Sequence, residues 1–214
     1  MTEKDIFALA YEGEDLNKMT DVNQKSEDGR SIIHHAITGC QYPTVEHLIR
    51  LDADLDTVDD LGFTPLHTAA AIGRIEFISL ILKHAPSLLN KPNRVNGNTA
   101  VHYAASKGRM EALKFLIDAR ADINQRNRLR QTALHRPSIA GKTQVVSLLL
   151  ESGAAVDATD AEGNTSLYLA LDDSQLEVAK LLLRAGASTD LVNNESKTAI
   201  DFCRTPEARA LISS

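Results

Sequence analysis

The stretch that decides the fold runs from Asn96 to Asn124 and reads NGNTAVHYAASKGRMEALKFLIDARADIN. Thr99 stands where a threonine hydroxyl can cap the N-terminus of a short helix, and Gly108 is the residue type that ends one. Behind the glycine, four apolar residues recur at spacings that place them on one face of a second helix: Ala112, Leu113, Leu116 and Ile117. The stretch therefore predicts a turn, two short helices and a return loop.

Close relatives of this stretch recur along almost the whole chain. One small hydroxyl residue marks each copy, with gaps of 33, 35, 33, 33 and 33 residues: Ser31, Thr64, Thr99, Thr132, Thr165 and Thr198. A histidine follows three positions later in four copies: His34, His67, His102 and His135. This period and opening are typical of ankyrin repeats, whose helix pairs bury their apolar sides only against neighbouring repeats. We therefore predict an all-α ankyrin-repeat solenoid of about seven repeats with projecting hairpin-like turns.

The expected repeats form a single domain over residues 1–214, with boundaries at 1–26, 27–59, 60–94, 95–127, 128–160, 161–193 and 194–214. The first is a shortened cap, with a helix that ends near Gly13 and a short or frayed second helix near Asp15 to Met19. The third carries two extra residues, which we expect in its return loop near Ala85 to Ser87. The last repeat has the polar ending of a C-terminal cap.

The fifth repeat departs most from the pattern. Arg130 stands where the other turns mostly have glycine, and Pro137 falls about five residues into the first helix. A proline inside a helix removes a backbone hydrogen bond and clashes with the preceding turn, at a cost of about 3 kcal/mol. We therefore predict a kinked or shortened first helix here, with the least protected amides of the internal helices.

Composition limits the possible functions. The net charge of about −6 argues against binding to nucleic acid or to a membrane surface, since both require a basic field. The sequence has no basic and apolar leader and no stretch long enough to span a bilayer. Cys40 and Cys203 lie five repeats apart, too far to pair, which favours a reducing compartment. We expect a cytoplasmic and nuclear protein that is monomeric when free.

The repeated histidines and one glycine-containing triplet have residue types that occur in metal and phosphate sites. No cysteine or carboxylate completes a metal-ligand set around the histidines, and their recurrence at the repeat period predicts hydrogen bonds to neighbouring turns. The triplet Gly141-Lys142-Thr143 resembles the end of a phosphate-binding loop, but Arg136 stands where that loop needs a glycine. We therefore expect no enzyme activity and no cofactor or metal.

The charges at the turn tips alternate along the chain. Acidic tips come first, a basic group follows, and acidic tips return: Glu27, Asp28 and Arg30; Asp59 and Asp60; Arg94; Arg126, Arg128 and Arg130; Asp160 and Glu162. These tips and the first helices form the usual concave binding face of such arrays. The charges are either a solvated rim or a pattern that fixes the register of a partner. Phe63 and Tyr103 are candidate apolar anchors on this face.

Several segments go beyond the general repeat pattern: LAY at 9–11, HYAASK at 102–107, TALHR at 132–136, EGNT at 162–165 and AKLL at 179–182. In these segments and in its seven repeats, the chain resembles the gankyrin family of proteasome regulatory-particle assembly chaperones over essentially its whole length. The resemblance implies a non-enzymatic chaperone. Its partner would be the C-terminal domain of one proteasomal AAA ATPase subunit, held in the concave face.

The resemblance also implies partner-binding residues. Basic residues at two matched positions would pair with partner carboxylates: Arg30 and Lys107. Acidic residues at three matched positions would meet partner arginines: Asp28, Asp60 and Asp173. An aromatic position of the family matches Phe63. Three more residues complete the predicted set: Tyr103 and Arg136, which lie in the quoted segments, and Asp172, which precedes Asp173. An alternative is a cell-cycle or transcription regulator that binds a kinase or a transcription factor through the same face.

Overall fold

The computed structural model describes residues 5–14, 16 and 19–213. In this part of the chain there are twelve α-helices and two short 3₁₀ helices, and there are no β-strands. The chain forms two compact units, one that ends at Ala100 and one that begins at Val101. The prediction of an all-α chain built from ankyrin-type helix pairs is confirmed.

The first compact unit contains helices α1 (Ile6–Glu12), α2 (Ile32–Thr38), α3 (Tyr42–Arg50), α4 (Pro65–Ile72), α5 (Ile75–His84) and a 3₁₀ helix at Pro86–Leu88. The first helices of successive repeats pack side by side, α1 on α2 and α2 on α4, and each of α2 and α4 packs on its own second helix. The core between them is aliphatic, with fully buried side chains that include Ile32, Ile37, Leu48, Leu66 and Ile78.

The helices that follow are α6 (Ala100–Lys107), α7 (Met110–Asp118), α8 (His135–Ile139), α9 (Thr143–Glu151), α10 (Ser166–Asp172), α11 (Leu176–Arg184), a 3₁₀ helix at Ala199–Phe202 and α12 (Pro206–Ser213). The same two layers recur, because α8 packs on α10 in the first-helix layer, while α7 and α11 both pack on α9 in the second-helix layer. The largest fully buried side chains here include Leu113, Leu116, Leu134, Leu149 and Tyr168.

The N-terminal cap agrees with the sequence where it is described. The Asp5 carboxylate accepts a hydrogen bond from the backbone N–H of Ala8 at 2.8 Å and so caps α1. Gly13 ends the helix in the left-handed conformation, with φ of 77°. The predicted short helix near Asp15 to Met19 lies partly outside the described residues.

A repeated histidine fixes the first helix of its repeat to the chain in or next to the following hairpin. In the third repeat the backbone N–H of Thr64 donates to Nδ1 of His67 at 3.1 Å, so Nδ1 is an acceptor and the proton is on Nε2. Nε2 lies 3.0 Å from the Lys91 carbonyl, to which it donates. Similar contacts join His34 to Ser31 and Phe63, and His102 to Gln131. The predicted role in bonding neighbouring turns is confirmed for these three histidines.

In the fifth repeat the histidine makes only one of these two contacts, and in the sixth a tyrosine replaces the histidine. Nδ1 of His135 accepts from the Thr132 N–H at 3.0 Å, but its buried Nε2, turned towards the Asn164 carbonyl, has no hydrogen bond of ordinary geometry. In the sixth repeat the hydroxyl of Tyr168 donates to the Leu191 carbonyl instead. A phenol can therefore replace the imidazole in its contact with the chain before the following hairpin.

Each repeat from the second to the seventh begins with a hairpin held by one Asn, Asp or Ser side chain. In the fifth repeat the side-chain oxygen of Asn127 accepts hydrogen bonds from the N–H groups of Leu129 and Gln131, both at 2.9 Å. The Asn127 N–H donates to the Gln131 carbonyl, also at 2.9 Å. The next hairpin joins it, since the Ala161 N–H donates to the Leu129 carbonyl at 2.9 Å. The hairpins are therefore ordered and linked by backbone hydrogen bonds.

The two extra residues of the third repeat do not lie together, which corrects the expectation that both belong near Ala85 to Ser87. The Asn93 N–H bonds to the carbonyl of Asn98, one residue further along than in the hairpin that joins Asn127 to Gln131. One extra residue therefore lengthens the hairpin before Thr99. The other lies earlier, between the hairpins at Asp59 and Asn93, in the region that contains the 3₁₀ helix.

The predicted shortening of the first helix in the fifth repeat is confirmed. α8 has five residues, against eight in α6. It begins at His135, so Pro137 lies in its first turn, where a missing N–H needs no partner inside the helix. The Pro137 carbonyl accepts from the Lys142 N–H at 2.9 Å. The chain thus accommodates the proline by starting the helix later.

Candidate protein-binding surface

In the first compact unit, the predicted site residues Asp28 and Asp60 come together. The Asp60 N–H donates to the Asp28 carbonyl at 3.2 Å, which joins the tips of two successive hairpins. The Asp60 carboxylate lies against Gly29, at a place that a Cβ atom would fill. Both aspartates are exposed, so this edge presents two neighbouring carboxylates to a partner.

The Asp28 carboxylate is held in its charged form. The Ser26 hydroxyl donates to it, and this hydrogen bond is the main cause that lowers the pKa of Asp28 below its ordinary value. The backbone N–H and the positive charge of Arg30 lower the pKa further, while desolvation acts in the opposite direction. Asp28 is therefore an anion at neutral pH.

Arg30 is already engaged within its own repeat. Its guanidinium donates to the His34 carbonyl at 3.2 Å and to the Thr38 hydroxyl. The side chain is half-buried along α2. A partner carboxylate would therefore meet an arginine whose position is fixed in advance, although some of its N–H groups are already used.

Phe63 is half-buried at the end of its hairpin. Its ring meets the ring of His67 edge-on, with centroids 6.2 Å apart and an angle of 78° between the planes. Its N–H donates to the Asp59 carboxylate at 2.7 Å. The scaffold therefore fixes the ring and leaves part of it accessible to a partner.

In the second compact unit, Tyr103 and Lys107 lie on the same helix but differ in exposure. Tyr103 is only 7% exposed, so it offers little area as an apolar anchor. Lys107 is exposed at the end of α6 and lines a shallow cavity together with Gly108 and Lys142. Lys142 was missing from the predicted set because the sequence placed it only in an inter-helix turn, and it adds a second positive charge beside Lys107.

The remaining predicted residues lie on α8 and α10, which pack against each other. Arg136 is exposed, and within the described part of the chain its guanidinium has no ion pair. Arg204 pairs with the Asp172 carboxylate at 2.5 Å, which satisfies part of the charge of Asp172. Asp173 is exposed directly after α10, and its carboxylate is likewise unpaired among the described residues.

Exposed apolar residues at three hairpin tips were missed by the sequence reasoning. Leu61 is 68% exposed, Val95 54% and Leu129 60%. They take the hairpin position that acidic residues occupy elsewhere: Asp28, Glu162 and Glu195. The sequence does contain a signal for them, because each is an aliphatic residue at a hairpin position that lies in solvent.

The described residues offer neither a metal site nor a membrane-spanning helix. Residues 5–14, 16 and 19–213 contain no group of three or more histidine, cysteine or acidic side chains that could hold a metal ion. None of the helices in the same residues has both the length and the apolar character needed to span a bilayer.

Comparison with known proteins gives one family. The model of that family, described as ankyrin repeats in three copies, matches residues 4–91, 33–127 and 119–193. The nuclear factor NF-kappa-B p105 subunit of Gallus gallus is 32% identical over 112 residues, which are 51% of this chain and 11% of that protein. The RelA-associated inhibitor of Mus musculus is 33% identical over 73 residues, 34% of this chain and 9% of that protein. The chain thus spans about a tenth of the length of these relatives.

A solved structure extends the likeness to the whole chain. The ankyrin repeat domain of Bcl-3, a member of the IkappaB protein family, superposes with a TM-score of 0.87 at 21% sequence identity. The match covers 100% of this chain and 99% of that domain. At this level of identity the likeness concerns the fold alone.

Proposed function

This chain belongs to the ankyrin-repeat family, and we propose that it is a non-enzymatic scaffold that chaperones assembly of the proteasome regulatory particle. Its partner in this proposal is the C-terminal domain of one proteasomal AAA ATPase subunit. The repeat family supports protein binding in general, because its stacked hairpins and first helices offer an extended surface. The finer assignment is supported by the sequence segments HYAASK, TALHR and EGNT.

One observation carries the proposal. Three residues of the predicted set stand on or directly after α6, α8 and α10, the first helices of three successive repeats, and their charges are exposed: Lys107, Arg136 and Asp173. Within the described residues none of these side chains has an ion pair. The scaffold therefore gains no ion pair from these charges, and they are available to a partner.

Two basic positions followed by an acidic one favour a partner surface with the opposite order of charge. Such complementarity contributes mainly to the rate and the specificity of association, since exposed pairs are each worth about 0.2–1 kcal/mol. A partner that buries them gains more, because water is excluded from the pair. The proposed partner domain is therefore expected to present carboxylates to α6 and α8 and a basic residue to the end of α10.

Binding to the isolated C-terminal domains of the proteasomal ATPase subunits tests this function. We expect one of these domains to bind, and Lys107→Glu to weaken its binding by about tenfold, as for loss and reversal of a contact charge. Lys114→Glu is the matched control, since Lys114 is exposed on α7, a second helix, and its substitution makes the same change in net charge. Binding of none of these domains would reject the proposal.

A second candidate function is control of a transcription factor. It is favoured by the local similarity to the NF-kappa-B p105 subunit and to the RelA-associated inhibitor. Purification of the chain with its bound proteins from cell extract separates the two functions. A proteasomal ATPase subunit among the bound proteins supports the first, and a transcription factor or a kinase without it supports the second. Accumulation of proteasome assembly intermediates on deletion of the gene is expected only for the first.

The proposed location is the cytoplasm and the nucleus, and the proposed free state is a monomer. Sedimentation analysis of the purified chain tests the free state, with a single species near 23.3 kDa expected. Fluorescence microscopy of a tagged chain tests the location.

A further inference from the structure

The hairpin of the fifth repeat combines positive charge with an apolar side chain at its tip. Arg126, Arg128, Leu129 and Arg130, which we call the arginine tip, are all exposed. Leu129 leaves 60% of its surface in solvent. The guanidinium groups of Arg126 and Arg130 have no ion pair within the described residues. A chain with a net charge of about −6 thus concentrates three positive charges around one aliphatic side chain.

The backbone of the arginine tip is fixed. The Asn127 side chain accepts from the N–H groups of Leu129 and Gln131 at 2.9 Å, and the Arg130 N–H donates to the Asn127 carbonyl at 2.9 Å. The next hairpin holds the Leu129 carbonyl through the Ala161 N–H. The exposure of Leu129 is therefore a property of an ordered hairpin, which can present its side chains to a partner at little entropic cost.

Arg130 adopts a backbone conformation that disfavours a side chain. Its φ is 58°, in the left-handed region, where four other hairpins have glycine at φ between 73° and 81°: Gly29, Gly62, Gly97 and Gly163. A residue with a Cβ atom is strained in this conformation, so the scaffold alone would favour glycine at this hairpin position. No hydrogen bond or ion pair of the Arg130 side chain within the described chain offsets the strain.

From this combination we propose that the arginine tip binds an acidic protein segment in which carboxylates flank one apolar side chain. The guanidinium groups pair with the carboxylates, because their planar N–H groups match carboxylate geometry. Leu129 packs against the apolar side chain between them. The binding surface is the hairpin and not the set of Lys107, Arg136 and Asp173, so the inference holds whichever protein those three residues bind.

The surroundings of the tip favour a protein segment over nucleic acid. The hairpin that bonds to Leu129 through Ala161 carries the exposed carboxylate of Glu162. A phosphate backbone, with a charge at roughly every 3.4 Å of a strand, would run from the basic tip into this acidic one. A short segment with a few carboxylates pairs with the arginines alone, and its apolar side chain gives Leu129 a contact that phosphates lack.

Fluorescence anisotropy with a labelled peptide that has glutamate and aspartate on both sides of one leucine tests the inference on the full chain. Arg130→Gly installs the residue of the other hairpins, so the fold is preserved, and we expect affinity to fall about fivefold. Arg120→Gly is the matched control, because Arg120 is exposed after α7, outside the tip, and has φ of 67°. Arg120→Gly removes the same positive charge and relieves the same backbone strain, and it should leave peptide binding unchanged.

A second comparison tests the apolar contact. The wild-type chain should bind the peptide more tightly than a version with serine in place of the leucine, and Leu129→Ser should remove this preference. Salt should weaken both complexes. Failure of the wild-type chain to bind the acidic peptide would overturn the inference. So would equal losses in Arg130→Gly and Arg120→Gly, or tighter binding of a thymidine oligonucleotide than of the peptide.

Discussion

At the scale of single residues, His34 and His67 hold their repeats only while the imidazole is neutral. Each Nδ1 accepts from a backbone N–H, and each Nε2 donates to a backbone carbonyl in or next to the following hairpin. Protonation of Nδ1 would remove its acceptor, and the buried charge would be poorly solvated. Burial accordingly lowers the pKa of both histidines from 6.5 to about 4, although the hydrogen bond to the carbonyl acts in the opposite direction.

The first prediction concerns pH. Because the unfolded chain binds protons near pH 6.5 and these histidines bind them only near pH 4, the free energy of unfolding is at its full value above pH 6.5. It should fall as the pH is lowered from 6.5 towards 4, by about 1.4 kcal/mol per pH unit for each histidine. Burial lowers the pKa of His102 and His135 as well, so they add to the fall. Urea denaturation at a series of pH values measures it.

His67→Asn is the control for this assignment. The variant should be less stable at pH 7 by about 2 kcal/mol, since a buried N–H and carbonyl lose their partner. It should also show a shallower dependence on pH between 6.5 and 4, because one of the titrating groups is gone. An unchanged slope would show that His67 does not titrate with folding.

A second prediction at this scale concerns the left-handed arginines. Arg130→Gly and Arg120→Gly should each raise the free energy of unfolding by up to about 1 kcal/mol, because glycine adopts this conformation without strain. The greater freedom of glycine in the unfolded chain reduces the gain. Thermal or urea denaturation of both variants measures it, and a loss of stability in either would contradict the strain assigned to that residue.

At the scale of elements, α8 is the short first helix of the fifth repeat. Its five residues leave room for few hydrogen bonds of the helical type, and Pro137 contributes no amide proton. We expect the amides of α8 to exchange with solvent faster than those of α6, which has eight residues. Native-state hydrogen exchange by NMR measures this. Exchange in α8 as slow as in α6 would contradict the prediction.

Local signals explain why most elements could be predicted. Thr64, His67 and Pro65 specify a capped helix start by short-range chemistry, and the apolar spacing specifies the face of the second helix. The two extra residues before Thr99 could be counted but not located, because a gap between two markers does not say which loop contains it. For α8 the sequence predicted a kinked or shortened helix but could not choose between the two, since a proline permits either a kink or a new first turn.

The candidate site was less predictable than the helices. Exposure at Lys107 and Asp173 follows from their helix positions, but the contacts of long side chains do not. The Arg30 guanidinium donates to the Thr38 hydroxyl, and Arg204 forms an ion pair with Asp172. Neither contact can be predicted from the repeat pattern. The burial of Tyr103 likewise depends on its packing.

At the scale of the whole molecule, the family match extends over residues 4–193, and the single domain over 1–214 with its seven repeat boundaries stays a prediction. Ankyrin-repeat scaffolds typically act by binding other proteins through an extended surface. In our proposal the exposed charges of Lys107, Arg136 and Asp173 contact the partner, while the identity of that partner rests on the sequence resemblance.

Calorimetric titration of the intact chain with the C-terminal domain of each proteasomal ATPase subunit, at low and at high salt, tests the proposed partner most directly. We expect that one domain binds at equal molar ratio, that high salt weakens its binding because exposed charges contribute, and that the other domains do not bind. Absence of heat with every domain, or equal binding of all of them, would contradict this proposal.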